Sequence, residues 1–72
     1  MTIPFSIRGE YIQLDQLLKA ASLVSSGGAA HAAVEAGLVK VDGQVESRKR
    51  AKLRPGQRVD FESSTIVLTG SS

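Results

Sequence analysis

Hydrophobic residues recur along this chain with two different periods. Ile3, Phe5 and Ile7 alternate with Pro4, Ser6 and Arg8, the two-residue period of a strand with one buried face. Pro4 has no N–H to give a neighbour, which predicts an edge strand or one that begins before its pairing does. Gly9-Glu10 interrupts the alternation, and Tyr11-Ile12-Gln13 fits either a short returning strand or the approach to a helix. From Leu14 the period lengthens. Leu14, Leu17, Leu18 and Ala21 fall at i, i+3, i+4 and i+7, one face of a helix that fades near Ser22 to Val24. Asp15 sits in or beside its first turn, where a carboxylate is favoured. Either serine of Ser25-Ser26-Gly27-Gly28 can cap a second helix, which carries Ala30, Ala33 and Val34 and stops at Gly37. Its apolar residues are small, so it must approach its neighbour closely. Two helices joined by so few residues form a hairpin or helix-turn-helix.

Beyond Gly37 the two-residue period returns. Val39 and Val41 alternate with Lys40, and Asp42-Gly43 is a strong hairpin signal. A two-residue loop sets Val45 on the face away from Val41; a longer or bulged connection returns it to that face and is the preferred reading. Arg54-Pro55-Gly56-Gln57 places Pro and Gly where a type II turn wants them. Val59 and Phe61 mark another strand, Ser63-Ser64 punctuates, Ile66, Val67 and Leu68 supply the last strand, and Gly70-Ser71-Ser72 reads as a frayed tail. The order is one strand, two helices, then about four strands. That is an α+β fold, a helix hairpin on a small twisted, mostly antiparallel sheet. Leu14, Leu17, Leu18, Val34, Val39, Val41, Val59 and Phe61 are its predicted core.

Charge changes the picture more than composition does. The formal net charge is only +2. Between Gly37 and Arg58, however, Lys40, Arg48, Lys49, Arg50, Lys52, Arg54 and Arg58 face only Asp42 and Glu46, a local charge of +5. The remainder sets Arg8 and Lys19 against five carboxylates, a charge of −3. A solvated strand edge accounts for one or two cations but poorly for seven, so the run points to a polyanion. If Arg48 to Arg50 is a regular strand, Arg48 and Arg50 share one face and Lys49 the other; an irregular loop presents all three.

The 72 residues imply one domain. No cysteine is present, which removes disulfides and thiol chemistry and favours a reducing compartment. No apolar run approaches a membrane span, and the N-terminus lacks the pattern of a signal peptide, so a soluble cytoplasmic protein is expected. The carboxylates are scattered and no nucleophile sits in a recognisable elbow, which argues against an enzyme. No cofactor is implied. A metal site at His31, the one histidine, would need carboxylate partners that show no ligand-like spacing. His31 lies away from Ala30, Ala33 and Val34, as an exposed polar position or a phosphate contact. Phe5 and Phe61 occupy core positions, so a platform of stacked aromatics is unsupported and folded RNA recognised through shape and phosphate is favoured.

Several of these segments together resemble the S-four-like RNA-binding domain, named after ribosomal small-subunit protein four and built on the alpha-L motif. The resemblance runs from about Leu14 to Phe61. Leu14-Asp15-x-x-Leu18 is similar to the family's opening helix, and Ser26-x-x-x-Ala30 through Val34-x-x-Gly37 to its second. Val39-x-Val41-Asp42-Gly43 resembles the signature strand and turn. At two positions where the family usually carries Arg this chain has Gly27 and His31, which shifts weight to Arg48 through Lys52. The Arg-Lys-Arg run and the Gly-bearing helix start are similar to small stand-alone bacterial members. The resemblance implies binding of structured RNA, commonly ribosomal or transfer RNA, by the two helices and the following hairpin. The expected contacts are Lys40, Arg48, Lys49, Arg50 and Lys52, supported by Ser26, Gly27, Gly28 and His31, in a monomer able to meet ribosomal particles. The other reading is an adaptor that docks an acidic partner protein through the same face.

Overall fold

The computed structural model describes residues 1–70, and the frayed-tail expectation at Ser71-Ser72 lies outside them. Its elements in chain order are β1 (Thr2–Ile7), β2 (Ile12–Gln13), α1 (Leu14–Ala20), α2 (Gly27–Glu35), β3 (Val39–Val41), β4 (Gln44–Val45), β5 (Lys52–Leu53), β6 (Arg58–Phe61) and β7 (Ser64–Gly70). One sheet has the order β1-β7-β6-β3-β4, and β2 and β5 form a separate antiparallel pair. All neighbours in the larger sheet are antiparallel except β1 and β7, which run parallel from Thr2↔Thr65 to Ile7↔Gly70. The first strand is therefore an edge, where Pro4 costs no ladder bond within the sheet. Gly70 is paired with Ile7, so the tail does not fray there.

A seven-residue helix has almost no independent stability. What holds α1 is the complete burial of Leu14, Leu17 and Leu18 against Ala30, Ala33 and Val34 of α2 and the inward residues of the sheet. The alanines keep that approach short. Val39, Val59 and Phe61 complete the predicted set; Val41 packs half-buried at its margin. Ile7, Ala51, Leu53, Ile66 and Leu68 join the same core. The helix ends slightly earlier than its apolar spacing predicts: Ser22 turns into the left-handed region (φ 61°), and the Leu23 N–H reaches back to the Leu18 carbonyl at 3.0 Å.

The hairpin corrects the expected bulge. Lys40 pairs with Val45 and Val41 with Gln44 across a two-residue Asp42-Gly43 turn. Both turn residues have positive φ (52° and 84°), the conformation that matches the twist of the flanking strands. Val45 consequently faces away from Val41 and is 56% exposed. The Arg54-Gln57 turn forms as predicted, closed by the Gln57 N–H to the Arg54 carbonyl at 3.2 Å with Gly56 at φ 95°. Among the described residues no helix is long and apolar enough to cross a membrane.

Leu18→Ala should lower unfolding free energy by about 2–5 kcal/mol in a denaturant titration, because the side chain is fully buried in the core and its loss leaves a cavity. Val45→Thr should shift it by less than about 0.5 kcal/mol, the range of surface changes.

Candidate nucleic-acid interface

The opening N–H groups of any helix lack intrahelical acceptors. Gln13, at the α1 N-cap, supplies no side-chain bond. Instead the Leu14 N–H donates to the Ala51 carbonyl at 2.9 Å and the Asp15 N–H to the Lys49 carbonyl at 3.0 Å. The pairing of Ile12 with Leu53 and of Gln13 with Lys52 extends this seam. Ala51 and Leu53 are buried beneath it, and the Ala51 N–H closes a turn onto the Arg48 carbonyl at 3.1 Å. Residues 46–51 thus form a bent loop between β4 and β5, not a strand, and Arg48, Lys49 and Arg50 are all exposed.

The same first turn reaches α2. Asp15 Oδ1 accepts from the Gln16 N–H at 2.8 Å, while Oδ2 lies 3.1 Å from His31 Nε2. The His31 and Asp15 side chains are only 32% and 15% exposed, so His31 is a half-buried tie between the helices and not the freely exposed position expected. Asp15 therefore touches α1, α2 and the basic loop at once. Glu35, one turn beyond His31, lines a depression of about 540 Å³ with Ser47, Arg48, Lys49 and Arg50. A second depression, of about 470 Å³, is bordered by Arg48, Arg50, Ala51, Lys52 and Arg54.

Of the two candidate serines it is Ser26 that caps α2, its Oγ accepting the Ala29 N–H at 3.1 Å. Gly27 and Gly28 follow in helical conformation. A Cβ would meet nothing within 4 Å at Gly27 and only Ser26 Oγ, at 3.9 Å, at Gly28. Nothing in the protein's own packing requires glycine at either place. Lys40 stands apart from this cluster. It projects from the exposed face of β3, between Val45 on β4 and Asp60 on β6.

The cations are not equivalent. Arg48 is engaged by Glu46, with Nε 3.2 Å from Oε2, and its backbone N–H bonds the same oxygen at 3.0 Å. The Arg48 guanidinium holds the Glu46 carboxyl below its ordinary value, and Glu46 in turn raises that of Arg48. Among the described residues no carboxylate pairs with Lys40, Lys49, Arg50 or Lys52. Asp42 is also depressed, first by the Arg58 N–H (3.0 Å) and then by Gln57 Nε2 (3.2 Å). From the sequence, Asp15 stood only as a helix-terminus charge and Glu46 only as one of two carboxylates opposing the basic run, without its pairing to Arg48. The tie to His31 spans 16 positions and has no local signal, whereas Glu46 lies two residues before Arg48 and was open to notice.

Two helices followed by a short hairpin, on a mostly antiparallel sheet, make this an α+β fold of the alpha-L type. The chain belongs to the S4 domain family, whose model matches residues 5–69. Curated relatives include the YbcJ proteins of Escherichia coli (strain K12) and Shigella flexneri, each 43% identical over 56 residues, 78% of this chain and 80% of the relative. The solution structure of E. coli YbcJ superposes with a TM-score of 0.68 at 37% identity, covering 94% of this chain and 85% of that one. That structure is described as revealing an alpha-L motif involved in RNA-binding.

The depressed carboxyls make stability depend on pH. The unfolded chain takes up these protons at higher pH than the folded one, so their contribution is full above the ordinary values and lost as pH falls through the depressed ones. Denaturation midpoints should fall as the pH drops through 4.5 and 3.8, the ordinary values of Glu46 and Asp42. The Asp42→Asn, Glu46→Gln double variant should show a flatter acid limb; Asn suits the left-handed turn position. An unchanged limb would remove both groups from the account.

Proposed function

We propose that this chain is a non-catalytic module that binds structured RNA, ribosomal or transfer RNA, as a monomer. It grips the phosphate backbone with the loop from Arg48 to Lys52 and the start of α2. The observation that carries this reading is the loop itself: Lys49, Arg50 and Lys52 are exposed and among the described residues have no carboxylate partner, while the loop backbone is held to the first turn of α1 through the Lys49 and Ala51 carbonyls. Cations on a fixed backbone lose less conformational freedom when phosphates arrive. Family membership and the RNA-binding described for YbcJ support the choice of polyanion.

The start of α2 adds a second contact. Its leading N–H groups and helix dipole favour an anion, and two glycines let a phosphate come near the backbone. His31 contributes through Asp15, fixing α2 against the loop, and Lys40 extends the positive field along the hairpin. Arg48 is partly neutralised by Glu46, so Lys49, Arg50 and Lys52 carry more of the contact.

Replacing Arg48, Lys49 and Arg50 together by Gln tests the loop. Each neutralised phosphate contributes roughly 0.7–0.9 to the log–log salt slope, so the slope should become shallower by about two to three units if all three touch phosphate. Thermal stability should hardly move. A folded triple variant with wild-type affinity and slope would exclude the loop. If binding instead proves specific for an acidic protein and insensitive to RNA, the adaptor reading replaces this one.

Gly27→Ala and Gly28→Ala separate packing from ligand approach. Each should stabilise the fold by about 0.4–1 kcal/mol, since alanine fits and the unfolded chain loses freedom. Each should also weaken RNA binding, because a methyl group displaces the phosphate. Greater stability with unchanged affinity would reduce this segment to a helix cap.

A further inference from the structure

Tyr11 is left unexplained by the phosphate grip. It is 40% exposed, unlike Phe61, which is buried, and Phe5, which packs against the core. The β2–β5 ladder brings it alongside the end of the basic loop, and Lys52 Nζ lies 5.0 Å from the centre of its ring. Tyr11 also lines a concavity of about 340 Å³ with Phe5, Ser6, Arg8, Ile12 and Gln16. Lys52 is not part of that lining.

This combination suits one unpaired nucleobase. The ring offers a π face, and the ammonium beside it draws the adjoining phosphate. Arg8 and Gln16 are exposed at the rim, where a guanidinium and an amide can meet a base edge or a phosphate. A cavity of this size lies at the small end of ligand pockets, too small for several stacked bases.

We infer that Tyr11, with Arg8, Gln16 and Lys52, forms a stacking site for a single unpaired base adjoining the RNA backbone held by the loop. The inference rests on the RNA-binding reading and adds a base contact to it. It stays within the expectation that a platform of stacked aromatics is unsupported: one tyrosine makes a one-base site, not a platform.

The chain has one Tyr and no Trp, so its intrinsic emission reports on Tyr11 alone. The test uses two RNA duplexes with three-nucleotide tails, one of adenosines and one abasic, which carry the same phosphates. Wild-type protein should bind the adenosine-tailed duplex about ten-fold more tightly than the abasic one, the scale of one stacked base. Its emission should be quenched by the first beyond an absorbance-matched control and not by the second. Tyr11→Phe should keep the preference. Tyr11→Leu, which retains apolar bulk beneath Lys52 but has no π face, should abolish it, and so should Tyr11→Ala, with abasic-tail affinity unchanged in both. Equal wild-type affinity for the two duplexes, or equal weakening of both by Tyr11→Leu, would overturn the stacking site while leaving the phosphate grip intact. Failure to bind either duplex would overturn the reading on which it rests.

Discussion

Two hydrogen bonds, from the Leu14 and Asp15 N–H groups to the carbonyls of Ala51 and Lys49, fix the relation between the helices and the basic loop. They satisfy the opening donors of α1 with the chain's own backbone, so that terminus is occupied before any ligand arrives. The same bonds turn the loop carbonyls inward and leave the side chains of Lys49 and Arg50 outside. Ala51 and Leu53 bury themselves beneath the seam, and the β2–β5 pair continues it. A run of cations that would repel itself in an extended chain is held in one bent shape by core packing on one side and by a helix end on the other.

Asp15 links that seam to α2. Its backbone serves the loop while its carboxylate reaches His31, so displacement of either helix is felt at the loop. A half-buried imidazole bonded to a carboxylate ties helices together. A free arginine there would project its charge outward. At Gly27 there is open space where a side chain would stand. α2 carries no Lys or Arg, and the positive charge lies instead in the +5 concentrated between Gly37 and Arg58.

Much of the fold was legible because its signals are local. The change of period at Leu14, the serine before Gly27, the left-handed Gly37 and the Pro55-Gly56 turn each depend on a few adjacent residues. The parallel pairing of β1 with β7 joins the two ends of the described chain, and no short-range pattern announces it. The hairpin was misread through an assumption about Val45. A lone exposed valine is ordinary, and the turn geometry of Asp42-Gly43 outweighed its burial. The basic run was visible as charge but not as shape. Residues 48–51 contain no turn-forming residue, and their bend comes from acceptors drawn onto α1, a constraint that exists only in the folded molecule. Tyr11 was likewise visible as an aromatic, yet its placement beside Lys52 depends on the β2–β5 ladder.

The central claim is that the basic loop and the start of α2 both meet the RNA, the loop as a preorganised surface. Backbone amide shifts of isotopically labelled protein, followed by NMR during titration with a structured RNA, test it most directly. The account predicts that perturbations concentrate at residues 26–28 and 47–52, while Thr2 to Pro4 of β1 and the central residues of β7 stay unmoved. The Leu14 and Asp15 amides should remain protected from hydrogen exchange in both free and bound protein. Perturbations centred on the β1–β7 edge, or Leu14 and Asp15 amides that exchange freely until RNA is added, would contradict it.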